Sequence, residues 1–178
     1  MSVEVARVKE LRDRTGAGVL ACREALAAGG GDLEQAVLYL RKKGLADAAK
    51  KSDRVAKDGL VSAYIHAGGR LGVLVEVNCE TDFVARTDDF KTLVHHIALQ
   101  IAGTNPPPQY VSRDEMPAEL REHHGADLDR YAAETCLLEQ PFIKDTTVRI
   151  QDLVTATIAK VGEHVTIRRF SRFQLGGP

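Results

Sequence analysis

The chain has 178 residues, 44% of them hydrophobic and 28% charged, which allows one substantial core plus a small satellite domain and is unlike a disordered tail. Its net charge of −1 offers no overall positive field to attract nucleic acid. Cys22, Cys79 and Cys136 are odd in number and far apart; they suggest neither a disulfide framework nor a zinc site and fit a reducing cytoplasm.

Charged and apolar residues alternate from Met1 to Arg7, unlike a secretory signal, and no apolar run reaches the length of a membrane span. The expected location is cytoplasmic. Ser2 is a candidate cap for a first helix with Val5, Val8 and Leu11 on one face, stopped by Thr15-Gly16-Ala17-Gly18. A second helix, Val19 to Ala28, ends in Gly29-Gly30-Gly31. The third has Asp32 as N-cap with Gln35 three residues on, then Leu33, Ala36, Val37 and Leu40 at helical spacing, closed by Gly44. Residues 1–45 therefore read as a compact three-helix bundle, marginal in core size, which resembles a ubiquitin-associated-type fold. Residues 46–57 read as a basic helical linker. Residues 41–57 carry Arg41, Lys42, Lys43, Lys50, Lys51, Arg54 and Lys57 against Asp47 and Asp53, a pattern that a solvated face also produces.

Near Leu60 the period changes from helical to alternating. Val61, Ala63 and Ile65, then Ala67-Gly68-Gly69-Arg70, then Leu71, Val73, Val75 and Val77 predict a β-hairpin. Phe90, Leu93, Val94, Ile97 and Ile101 predict a helix ended by Gly103, and Pro106-Pro107-Pro108 interrupts regular structure. Residues 113–139 hold eight acids and further helices. Ile150, Leu153, Val154, Ile158 and Val161 mark another amphipathic helix, and His164 to Leu175 reads as a closing strand. The expected fold is α+β, with residues 58–178 forming a small antiparallel sheet packed with helices.

Enzyme chemistry is hard to find. No Gly-x-x-x-x-Gly-Lys-Ser/Thr is present, and Gly16-Ala17-Gly18 lies between helices rather than after a strand, so no nucleotide cradle is expected. The pairs His95-His96 and His123-His124 are adjacent, which turns their rings apart on a helix rather than onto one metal. No Ser, Cys or His sits in a recognisable nucleophile motif. The expectation is a protein that is no enzyme and carries no cofactor or metal.

The most informative stretch is Asn78-Cys79-Glu80-Thr81-Asp82-Phe83-Val84-Ala85-Arg86, where an acid and a large aromatic follow the end of a buried strand and precede a helix start at Thr87-Asp88-Asp89. By itself such a connection allows Phe83 to plug the core and Asp82 to serve as a turn residue. The run from Val73 to Arg86, however, resembles the signature of the bacterial elongation factor Ts family, nucleotide exchange factors of the translational GTPase elongation factor Tu. Further similarity lies in Val8-Lys9-Glu10-Leu11-Arg12-Asp13-Arg14-Thr15-Gly16-Ala17-Gly18, in Gly31 to Ala36 with Leu40-Arg41-Lys42-Lys43-Gly44, in Leu137 to Phe142 and in Arg168-Arg169-Phe170. Two departures stand out. Val19-Leu20 occupies the place of a frequent Met-Met, a volume-similar exchange, and the stretch between Pro117 and Glu134 is shorter than usual, lacking the family's Gly-Lys-Pro and Glu-Lys elements.

The resemblance implies that Arg12, Val19, Leu20 and Arg23 dock on the GTPase domain of elongation factor Tu. It implies that Thr81, Asp82, Phe83 and Val84 disturb the partner's Mg²⁺ site, with Phe83 as an apolar wedge, and that His66 is a further contact. It leaves no direct role for nucleotide, nucleic acid or membrane binding by this chain, and with a trimmed C-terminal region a homodimer through the second domain is expected. Two other readings compete: a binding adaptor of ubiquitin-associated type, and an RNA-binding translation protein using residues 41–57. The first gives Thr81 to Val84 no task. The second must contend with the near-neutral charge and with only five Phe and four Tyr.

Overall fold

The computed structural model describes residues 3–177, so the expected cap at Ser2 lies outside the described residues. The chain divides into two compact units, Met1–Val55 with Thr155–His164, and Ala56–Val154 with Val165–Pro178.

In the first unit, α1 (Val3–Thr15), α2 (Val19–Ala28) and α3 (Leu33–Ala49) pack around Leu11, Cys22, Ala25, Leu26 and Ala36. Leu33, Val37 and Leu40 close over that core, as the i, i+3, i+4, i+7 pattern requires. Asp32 caps α3, its Oδ1 accepting from the Gln35 N–H at 2.8 Å. Helix α3 does not stop at Gly44, as the sequence suggested, but continues to Ala49. Gly44 is buried within the helix, and a Cβ there would stand 3.3 Å from the Thr155 methyl, so this glycine permits a close approach rather than ending a helix. Past Ala49 the supposed helical linker is a series of turns, and the next regular element begins at Asp58. The grouping of 155–164 with the first unit also departs from the boundaries drawn from the sequence.

The second unit is built on β1 (Asp58–Ile65) and β2 (Leu71–Cys79), the expected hairpin, joined by β5 (Thr166–Gln174) in an antiparallel sheet of order β1-β2-β5. Alternation divides the faces. Val73, Val75, Val77 and Cys79 of β2 are buried on the side of α5 (Asp88–Gly103), whose Phe90, Leu93, Val94, Ile97 and Ile101 form the matching apolar face. The opposite face carries Ile65, Gly72 and Phe173 in one cross-strand row, then Ala63, Leu74 and Ser171, then Val61, Glu76 and Arg169.

Residues 118–135 hold two short helices, α6 (Ala118–His124) and α7 (Leu128–Thr135), the second of which packs into a satellite cluster of Met116, Ala132 and Cys136 with Tyr110, Leu128 and Tyr131. A second, small pairing, β3 (Pro141–Phe142) with β4 (Asp145–Arg149), has no counterpart in the sequence reading, because strands this short carry too little alternation to register. Buried amides brace it: Gln100 Nε2 donates to Gln140 Oε1 (3.2 Å) and the Pro141 carbonyl (3.0 Å), and Gln100 Oε1 accepts from the Ile143 N–H (2.9 Å). The boundary between the two units falls inside α8 (Ile150–Val161).

Candidate functional site

Where β2 runs out, Asp82 to Ala85 form a single helical turn, α4, before α5 begins. Four residues make no stable helix alone, so the turn depends on its surroundings. Thr81 is its N-cap, with extended backbone and its Oγ1 accepting from the Val84 N–H at 3.5 Å. The buried Cys79 thiol donates to the Thr81 carbonyl at 3.1 Å. Thr87, the cap of α5, donates its hydroxyl to the Val84 carbonyl at 2.8 Å. Beneath the turn Val84 and Ala85 are buried. Phe83 is 77% exposed and points away from that anchorage. The core-plug alternative for Phe83 therefore falls; the apolar anchor of the turn is Val84. Asp82 pairs with Arg86 one turn on, Oδ2 to Nη2 2.6 Å, in an exposed i, i+4 ion pair worth roughly 0.3–0.5 kcal/mol. Sequence reasoning quoted Arg86 without giving it that role, although the spacing carried the signal.

In the first unit, the α1–α2 connection presents a second set of sequence-selected residues. Thr15 Oγ1 donates to the Leu11 carbonyl at 2.7 Å and accepts from the Ala17 N–H at 3.3 Å, while Gly16 takes φ +68°, a left-handed conformation natural to glycine. Gly18 caps α2 without any side-chain hydrogen bond. Beyond it Val19 and Leu20 are 48% and 80% exposed, beside exposed Arg12 and Arg23, whereas Cys22, one turn further, is buried. Burial pushes the Cys22 thiol above its ordinary range, which keeps it protonated and unreactive.

His66 follows the hairpin strand and is exposed to solvent, with its Nδ1 3.2 Å from the Tyr64 hydroxyl. Tyr64 also stands edge-on to His95 of α5, ring centroids 6.3 Å apart. Of the C-terminal arginines, Arg169 donates through Nε to Glu76 Oε2 at 2.7 Å across the outer sheet face, and Arg172 donates through Nη2 to Gln174 at 2.8 Å. The Arg169 guanidinium holds the Glu76 carboxyl below the usual carboxylate range. Among the described residues no cluster of three His, Cys, Asp or Glu side chains is arranged to hold a metal ion, and no helix is long and apolar enough to cross a membrane.

A protein-family model described as "Elongation factor TS" matches residues 47–126, the span that contains the α4 turn. The chain is 53% identical to the "Elongation factor Ts" of Heliobacterium modesticaldum, the match covering 98% of this chain and 90% of the relative. It is 47% identical to that of Moorella thermoacetica, over 98% of this chain and 96% of the relative, and 47% identical to that of Herpetosiphon aurantiacus, over 99% of each. The chain belongs to the elongation factor Ts family. Alignment with the Heliobacterium relative spans 196 positions against a chain of 178 residues, so this chain lacks residues that its relative has. Phe83 of its Thr81-Asp82-Phe83-Val84 turn and its Val19-Leu20 pair are exposed, while Val84 and Cys22 beside them are buried.

Proposed function

We propose that this chain is a cytoplasmic guanine-nucleotide exchange factor that binds GDP-loaded elongation factor Tu and speeds GDP release during translation elongation. The observation that carries this reading is the exposed Phe83 on a turn whose backbone is hydrogen-bonded on both sides and whose Val84 is buried. An aromatic that adds nothing to its own core, on a support that does not yield, is suited to enter a partner and displace what it meets. Mg²⁺ in a nucleotide site demands near-octahedral oxygen geometry, so a small displacement of the elements around it costs much of that coordination and weakens GDP with it. Thr81 and Val84 set the shape of the turn, Phe83 is the wedge, and Asp82 is the polar group that fixes the register. Arg12, Val19, Leu20 and Arg23 supply the docking surface of the first unit, with His66 as a lesser contact on the hairpin. No bond chemistry is asked of any of them.

Release of fluorescent GDP from purified elongation factor Tu, with this chain in catalytic amount, tests the reading directly. Acceleration of release that Phe83→Ala removes supports it. Linkage supplies a second check: a chain that weakens GDP–Mg²⁺ binding must itself be bound more weakly by the GDP–Mg²⁺ form, by the same factor. Equal calorimetric affinities for nucleotide-free and GDP-loaded partner would end it.

A homodimer through the second unit is favoured by one observation. Val61, Ile65, Leu74 and Phe173 share the outer face of the sheet and are 66%, 65%, 48% and 73% exposed, an apolar surface suited to packing on its own copy by a two-fold axis. Ser171 lies in the middle row of that face, so such a dimer needs no disulfide there. Light scattering in reductant at tens of micromolar reports a mass of two chains if this holds and one chain if it does not.

A further inference from the structure

Helix α3 carries a surface that the exchange reading leaves unused. Its inward side packs through Leu33, Ala36, Val37 and Leu40. On its opposite side, where a solvated helix is ordinarily polar, Leu38 and Leu45 are 55% and 48% exposed, with exposed Ala49 continuing the line. Leu38 and Leu45 are seven residues apart, two turns or about 10 Å along the axis. Helical projection sets Arg41 on one flank of this stripe and Lys42 on the other, both exposed. The neighbouring charges are already used within the unit: Glu34 with Arg14 (2.7 Å), Lys43 with Glu24 (2.5 Å), and Lys50 with Asp47 (3.7 Å). Arg41 and Lys42 make no ion pair among the described residues. The stripe faces away from the core that α3 shares with α1 and α2, so it is distinct from the surface of Arg12, Val19, Leu20 and Arg23.

We infer that this face of α3 is a docking site for an amphipathic helix of a partner protein, bearing apolar residues two turns apart and acidic residues on both sides of them. Two leucines in register match the ridge of a second helix crossing at a shallow angle. The two flanking cations, without acids of their own, complement carboxylates on either side and fix the register of the approaching helix. A phosphate backbone would use the cations and leave the leucines in water, and the helix has no aromatic on that face for stacking. A protein helix uses both.

The test is a fluorescence-anisotropy titration of the full chain against a labelled synthetic peptide of about 20 residues, long enough to form a helix when bound, with leucines at a, d spacing and glutamates on the flanks. A scrambled peptide of the same composition, a peptide with lysine replacing glutamate, polyuridylate and phosphatidylglycerol vesicles are the comparison probes. The expected result is saturable binding of the acidic helix, weakened by salt, and at least about tenfold weaker binding of the scrambled and lysine peptides. Leu38→Glu and Leu45→Glu should each lower that affinity about tenfold, and Arg41→Glu with Lys42→Glu comparably. All four positions are exposed and the replacements are good helix formers, so circular dichroism should be unchanged. Stimulated GDP release should also be unchanged, which keeps this inference separable from the exchange reading. Equal binding of the scrambled peptide would overturn the proposal. So would tight binding of polyuridylate or vesicles that depends on Arg41 and Lys42 but not on Leu38, or a loss of exchange activity in the leucine variants.

Discussion

The α1–α2 connection and the α4 turn both hold a large apolar side chain in water, Leu20 at 80% exposure and Phe83 at 77%, yet they are built differently. Leu20 stands on the first turn of a helix whose cap, Gly18, supplies no side-chain hydrogen bond. Phe83 stands on a turn braced by Thr81 in front, Thr87 behind, the Cys79 thiol below and two buried residues at its base. An aliphatic side chain on a loosely capped helix end repacks to suit the surface it meets. A ring with two rotatable bonds on a braced turn passes load into its own scaffold and so can deform the other side. Under the proposed function, the contrast suits the first surface to docking and the second to displacement.

The sharpest way to break that assignment is Phe83→Ala. Stimulated GDP release should fall by about tenfold or more, equal to about 1.4 kcal/mol of barrier, while the melting temperature stays within about a degree because no buried area is lost. A drop of several degrees would return Phe83 to the core. Val84→Ala should behave in the opposite sense, costing about 1–2.5 kcal/mol of stability through lost burial and a residual cavity, seen as a melting temperature lower by several degrees. Leu20→Ala should raise the concentration of exchange factor needed for half-maximal GDP release by about fivefold and leave the saturated rate unchanged, the mark of lost uniform binding.

The smallest expected effects concern pH, and they place His96 and Glu24 in different windows. Partial burial, helped by Lys144 and His95, lowers the His96 imidazole in the second unit from its ordinary value of 6.5. The unfolded chain therefore takes up that proton first. The stability His96 allows is complete above pH 6.5 and lost as pH falls from 6.5 through the lower folded value. In the first unit Glu24 accepts hydrogen bonds from Lys43 and from the Tyr39 hydroxyl, which lower its carboxyl from 4.5, so its contribution is present above pH 4.5 and disappears as pH falls through the folded value. Thermal melts across pH 7.5 to 3 should show His96→Gln flattening the upper decline and Glu24→Gln only the lower one. Overlapping profiles would remove the distinction.

Much of this could be read from the residues. The periods of Leu33 to Leu40, of Val73 to Val77 and of Phe90 to Ile101 each select one buried face, and those faces are the two cores. The Asp32 and Thr87 caps mark helix starts because only a short oxygen-bearing side chain satisfies the free N–H groups there. The candidate residues at 81–84 and 19–20 came from motif order rather than from any physical pattern, since an exposed phenylalanine and a buried one look alike in a string.

Local pattern and chirality thus determined the elements of this protein: which residues turn inward, where most helices begin and end, and that α must give way to β near Leu60. Only the tertiary structure decided what depends on neighbours distant in sequence. Gly44 reads as a terminator in the sequence but lies mid-helix beside the Thr155 methyl, 111 positions away in the chain and 3.3 Å from the space where its Cβ would be. Phe83 became a surface feature and Val84 its anchor because the turn packs against β1 and β2 with Val84 buried and Phe83 left outside. Leu38 and Leu45 likewise carry the same letters as core leucines. Their exposure follows from where α1 and α2 lie, a property of packing that no window of sequence contains.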